Sequence, residues 1–195
     1  MSDIPPVVAD SDRLVDAVQR LVDGVKPDQW TASTPCSEWN VRQLLHHLTN
    51  GNAIFATLAS GERSPGPITA EERATDWLGS DPAAGFRSTA NVMHDAFVMP
   101  GFLEGRFETP FMGEQDGPTI VHMRMNEHLI HGWDLARATG QPADFPDALA
   151  EEALRLWQTR LGDRPRTGMP FGEPVAVPDD APAIDRLAAF LGRQP

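Results

Sequence analysis

Apolar residues recur at helical spacing along most of the chain. In SDRLVDAVQRLVDGV, Leu14, Val18, Leu21 and Val22 share one face, with Ser11 or Asp12 placed as N-cap and Gly24 near the end. NVRQLLHHLTNGNAIFATLASG starts on Asn40 as N-cap and ends at Gly61, and its stripe is Val41, Leu44, Leu48, Phe55 and Leu58. The pattern predicts a third helix over about 81–99, stopped by Pro100 and Gly101. A fourth opens at Gly117–Pro118 and runs to Gly140. A fifth covers 147–161, with Leu149, Ala153, Leu156 and Trp157 on one side. Residues 102–116 read as a loop with room for one short hairpin, and 162–182 as a proline-rich irregular stretch before the short helix AIDRLAAFLG. The expectation is an all-α fold, a helical bundle over 1–162 and a proline-rich C-terminal extension over 163–195 whose short helix packs on the same domain.

Composition narrows the classes. A chain of 195 residues can bury one sizeable core, and 41% hydrophobic with 23% charged residues is ordinary for a globular protein. No run of about 18 apolar residues exists, and MSDIPPVVADSD lacks the basic-then-apolar order of a secretory signal. The single cysteine, Cys36, cannot form an internal disulfide. These features predict a soluble, cytoplasmic protein without membrane contact. A formal charge of −12 with scattered basic residues disfavours nucleic acid as a partner, because it repels phosphates.

The stretch NEHLIHGWDLARATG carries more ionisable groups than a packing face needs. At about 100° per residue, with Glu127 as zero, His131 falls near 40° and Asp134 near −20°, among Ile120, Met123 and Ile130. Glu127, His131 and Asp134 therefore share the side that faces the core. His128 lies at the flank and His122 off the stripe. Two ionisable groups aimed inward need a partner, since an unpaired buried carboxylate is strongly disfavoured. The second helix offers one. In LLHHL the adjacent histidines differ by about 100°, which puts His47 at the edge of the leucine stripe and His46 on the solvated side. His47, Glu127 and His131 together give two imidazoles and one carboxylate, a donor set suited to zinc or a similar divalent ion with one position open.

Plainer readings account for the same residues. A Glu and a His four apart can be a surface pair, and a histidine beside a leucine stripe a hydrogen-bonded boundary residue. Asp134 with Arg137 reads as an i,i+3 ion pair rather than as a direct ligand. A zincin HExxH is excluded, because Asn126 and Ile130 stand where its histidines would be, and repeated Glu-x-x-His elements of a di-iron bundle are absent. Cys36, just ahead of a helix N-terminus, invites a nucleophile reading, against which stand the lack of a resolving cysteine and a simple packing role. Trp39 and Trp133 read as core aromatics bracketing the site.

TPCSEWNVRQLLHHLTNG, NEHLIHGWDLARATGQP and the ending VPDDAPAIDRLAAFLGRQP resemble the actinobacterial metal-binding proteins related to the N-terminal domain of mycothiol-dependent maleylpyruvate isomerase, in the DinB-like superfamily. The resemblance covers most of the chain. It implies a DinB-like four-helix bundle in which His47, Glu127 and His131 bind a divalent metal, zinc in most members, with nickel the other option. It further implies mycothiol as cosubstrate. The isomerase carries an additional C-terminal domain that helps build its active site, whereas only 162–195 follow the bundle here, so maleylpyruvate isomerisation itself is not assumed.

Two functional classes follow. One is a metal-dependent transferase or isomerase that turns mycothiol or another small thiol on a small electrophilic substrate. The other is a non-catalytic metal-binding or stress-related protein with a structural metal site. Arg124 and Arg137 are candidates to hold an anionic substrate in the first class, and the chain is expected as a monomer or homodimer. The helix phases generate a direct test: His47→Ala should abolish tight metal binding while His46→Ala leaves it nearly intact. Equal metal loss from both variants, measured by elemental analysis, would show the phase of the second helix to be wrong.

Overall fold

The computed structural model describes residues 4–63, 66–110, 112–162, 164–169 and 171–195. Its elements are α1 (Pro6–Asp23), α2 (Val41–Ala59), α3 (Ala70–Ala74), α4 (Pro82–Phe97), β1 (Arg106–Thr109), β2 (Gly113–Asp116), α5 (Gly117–Thr139), α6 (Asp147–Leu161) and α7 (Ala183–Phe190). The domain is mostly helical. No helix among the described residues is long and apolar enough to cross a membrane.

Helix ends follow local chemistry. Asn40 caps α2 in a reciprocal capping box with Gln43. Asp81 and Asp116 cap α4 and α5, each accepting from a backbone N–H three residues on, and each is followed by a proline in the first turn. Gly140 ends α5 in the left-handed conformation. Helix α1 differs from its expected start. It begins at Pro6, not after Ser11 or Asp12, because a proline is tolerated at the first helical position and the extra turn seats Val8 in the core. Ser11 is then a buried helical residue rather than a cap. Helix α3 is an element that apolar periodicity misses. It is one capped turn, Thr69 with Glu72, with no buried residue.

Helices α1, α2, α4 and α5 pack side by side, α2 against α4 and α5, and α1 against α5 and α4. The core runs between them through Leu14, Val18, Leu44, Leu48, Phe86, Met93, Leu129 and Trp133. The hairpin pairs Arg106 with Asp116 and Thr109 with Gly113, antiparallel. Helix α7 lies on α6 and α5, and the irregular segment ahead of it is tied to its end by Val175 N–H to Ala189 O and Gly172 N–H to Leu191 O.

Helix α5 is central. Fifteen of its 23 residues are buried, so only a narrow strip of its surface is left open. That explains why His128, expected at the flank, is fully buried. It also explains Gly132, where a Cβ would sit 2.5 Å from the Phe145 ring and 3.0 Å from a Val18 methyl. Gly132→Ala should therefore cost about 1–3 kcal/mol by overpacking, instead of the gain of about 1 kcal/mol that alanine brings to an exposed helix. Urea denaturation checks the sign; a more stable variant would show that α1 and Phe145 yield freely.

Candidate metal centre

The site lies where α2 and α5 meet, beside the chain that leads into α2. There Thr34 Oγ donates to both the Cys36 and Trp39 carbonyls, Trp39 N–H donates to the Cys36 carbonyl, and Ser33 bridges Asn40. This tight turn lays the Trp39 ring over His47, stacked at 4.5 Å between centroids, and within 5.6 Å of His131. The two imidazoles meet edge-on at 5.0 Å.

Glu127 sits between them. His47 Nε2 is 2.8 Å and His131 Nε2 is 3.6 Å from the same carboxylate oxygen, Oε2. The side chains of His47 and Glu127 are each 37% exposed, that of His131 11%, so the cluster lies at the edge of the core rather than inside it. Burial pushes the Glu127 carboxyl up, but the hydrogen bond from His47 and the charges of His131, His47 and Arg124 outweigh it and hold the group well below the ordinary carboxylate range.

His131 is oriented from behind. Its Nδ1–H donates to Asp134 at 3.0 Å, and Asp134, fully buried, accepts from Arg193 through Nε at 3.1 Å and Nη2 at 2.9 Å. Burial raises the Asp134 pKa, yet the hydrogen bonds from His131 and Arg193 bring it below its ordinary value, so the carboxylate stays charged. In the neutral ring that keeps its Nδ1–H on Asp134, Nε2 on the Glu127 side is the nitrogen left to face a ligand position. A carboxylate behind a histidine that faces a ligand position is the usual outer support of a metal site.

One nitrogen or oxygen from each of His47, Glu127 and His131 lies within 4.8 Å of the others. Tetrahedral ligation at 2.0–2.2 Å separates donors by about 3.4 Å. The observed 2.8 and 3.6 Å fall either side of that value, so the donor set fits a divalent ion after small side-chain shifts. Among the described residues no fourth His, Cys, Asp or Glu joins this set. Cys36 groups separately with His131 and Asp134. Burial and the Asp134 charge push its thiol upward, opposite to the activated nucleophile that a helix N-terminus suggested.

Other expected placements change. Asp134 does not pair with Arg137, which instead turns outward to Asp185 at 3.0 Å and lies over Trp133 at 5.0 Å. Trp133 donates to Asp185 on α7 at 2.7 Å, so Trp39 alone of the two tryptophans flanks the site. His46 is half-buried and not solvated, with Nε2 3.0 Å from the Thr75 carbonyl, because the segment around α3 folds over that side of α2. Arg124 is 2% exposed inside the helix packing, where Nη2 donates to Asn52 at 2.9 Å and to the Leu48 carbonyl at 3.2 Å. His128 joins this group through Asn52, 3.0 Å away. Burial, partly offset by Glu127, brings the Arg124 pKa down to about 10, which leaves it charged at neutral pH. Helix phase gave no hint of this second polar cluster or of Arg193.

Fold and site together describe a helical domain with an N2O donor cluster between two helices. The chain belongs to the family of the mycothiol maleylpyruvate isomerase N-terminal domain, whose model matches residues 11–136. It is also similar to two uncharacterized proteins of Mycobacterium tuberculosis, one from strain CDC 1551 / Oshkosh and one from strain ATCC 25618 / H37Rv. Each is 36% identical over 182 residues, 93% of this chain and 94% of the relative. No solved structure matches the chain significantly.

The Asp134–Arg193 pair predicts its own energetics. Asp134→Asn leaves a guanidinium that is 9% exposed without its counter-charge, and should cost about 3–5 kcal/mol. The double variant Asp134→Leu, Arg193→Met should recover most of that loss. Urea unfolding of the three proteins decides it; a double variant less stable than Asp134→Asn would contradict the ion-pair account.

Proposed function

We propose that this chain is a divalent-metal-binding protein that uses mycothiol or another small thiol against a small electrophile, as a transferase or isomerase on a DinB-like four-helix bundle formed by α1, α2, α4 and α5. His47, Glu127 and His131 would hold the ion, with zinc the expected metal and nickel the alternative. The observation that carries this reading is the convergence of three donors, with no fourth His, Cys, Asp or Glu among the described residues, at the wall of a cavity of about 590 Å³ that both His47 and Glu127 line. An open position facing a cavity is what separates a catalytic site from a structural one.

A bound divalent ion supplies Lewis acidity, which favours a small thiol as thiolate near neutral pH. The protein's own groups do the rest. Asp134 and Arg193 keep His131 in one tautomer and one orientation, Trp39 shields the imidazole pair from water, and the cavity gathers the reactants on the open side. The family name supports mycothiol as the thiol. A second reading, a non-catalytic member with a structural ion, draws support from the His47–Glu127 hydrogen bond, which satisfies both groups without chemistry.

Glu127→Gln tests the site. It keeps the shape but removes the negative charge, so stoichiometric metal should be lost and the melting temperature should fall to that of chelator-treated wild type. A ligand held at a thousand times its Kd stabilises the fold by about 4 kcal/mol, whereas a surface Glu–His pair is worth only a few tenths, about 0.2–0.5 kcal/mol. A variant that retains one metal per chain and full stability would sink the proposal.

A further inference from the structure

The cavity beside the metal centre has a character of its own. The chain carries 28 acidic against 16 basic residues, yet the residues lining this cavity include three arginines, Arg73, Arg124 and Arg160, and one acid, Glu127. That acid is engaged by His47 and His131. Much of the remaining wall is apolar, including Trp39, Phe55, Met123 and Trp157.

Arg124 is the informative residue. It is a buried cation with no carboxylate within ion-pair distance among the described residues. Among the described residues only Nη2 is hydrogen-bonded, to the Leu48 and Asn52 oxygens and, at 3.4 Å, to His128 Nε2, while Nε is buried without a partner. A buried charge left without a counter-charge is costly, and the planar fork of arginine matches a carboxylate edge. The structure makes room for it. Gly51, also on the cavity wall, faces Nη1 so closely that a Cβ there would lie 2.5 Å from it. The guanidinium carbon stands over the Phe55 ring, 5.3 Å from its centroid, so the charge rests on an aromatic face of the same wall. Arg124 is also one helical turn from Glu127, about 5–6 Å between Cβ atoms at that spacing.

We propose that this cavity binds a small organic carboxylate with an aryl-sized apolar body, its carboxylate anchored on Arg124 and its body against Trp39, Phe55, Met123 and Trp157. The volume of about 590 Å³ lies in the range of small-molecule sites, which join an apolar lining to few polar anchors. The inference takes the cavity to be the substrate side of the metal centre and in that respect rests on the function proposed above, but the binding it describes does not need the ion.

Calorimetric titration of the full chain with 4-phenylbutyrate and with its neutral amide tests the proposal. The acid should bind at least about tenfold more tightly than the amide, the scale of a hydrogen-bonded charge. Arg124→Met should erase that preference while circular dichroism stays unchanged. Gly51→Ala, which keeps the charge but displaces Nη1, should weaken the acid and leave the amide untouched. Equal binding of acid and amide, saturable binding of neither, or an unchanged preference in Arg124→Met would overturn it; the wild-type comparison stands even if a variant fails to fold. The same titration on chelator-treated protein separates the two readings. A preference for the acid in a protein that never takes up metal leaves this site standing and removes the metal centre, and metal binding without that preference does the reverse.

Discussion

A carboxylate removed from water must find positive partners or give up its charge, and Asp134 is in that situation near the C-terminal end of α5. Its partners come from two distances along the chain: His131, three residues away on the same helix, and Arg193, almost at the C-terminus. The buried charge thereby ties the tail to the central helix and sets the tautomer of His131. The path from the irregular segment to α7 and on to Arg193 is held by the backbone bonds of Gly172 and Val175, and by a left-handed turn at Gly192 that directs the last residues back to α5. The proline-rich ending is thus part of the site's support rather than a loose appendage.

Helix α5 bears the consequence of being surrounded. With α1, α2 and α7 packed on it, most of its polar residues are held away from bulk water and must be answered inside the protein. Two clusters result. Glu127, His131 and His47 converge at the margin of the core, where partial exposure lets solvent or a ligand approach. Arg124, His128 and Asn52 lie one turn away and deeper. The cavity wall reaches both, so a molecule bound there would meet the His47–Glu127 pair and a buried cation.

The long helices were legible because an amphipathic stripe and a capping residue are local signals. Asn40, Gly117 with Pro118, and Gly140 announce their helix ends within a few residues of sequence. The start of α1 was harder to place, since Pro5 and Pro6 carry no side-chain cap and Ser11 mimics one. Helix α3 left no periodic trace, although Thr69 and Glu72 spell a capping box. The three donors were legible for the same reason as the helices: a Glu and a His four apart share a face, and only one of two adjacent histidines can share the opposite one.

The sequence by itself therefore determined the helical class, most helix ends, that Glu127 and His131 share one face of their helix, and that His47 rather than His46 borders the leucine stripe of another, because each of these follows from spacing along one backbone. Tertiary structure alone decided the rest. It brought Arg193 and not Arg137 to Asp134, closed the segment around α3 over His46, buried His128, and left Arg124 on a cavity wall with no carboxylate within ion-pair distance among the described residues. Those outcomes turn on which helix covers which face and where a distant tail returns. Residue spacing cannot encode them, because the covering groups lie tens of residues away and reach the site only through packing.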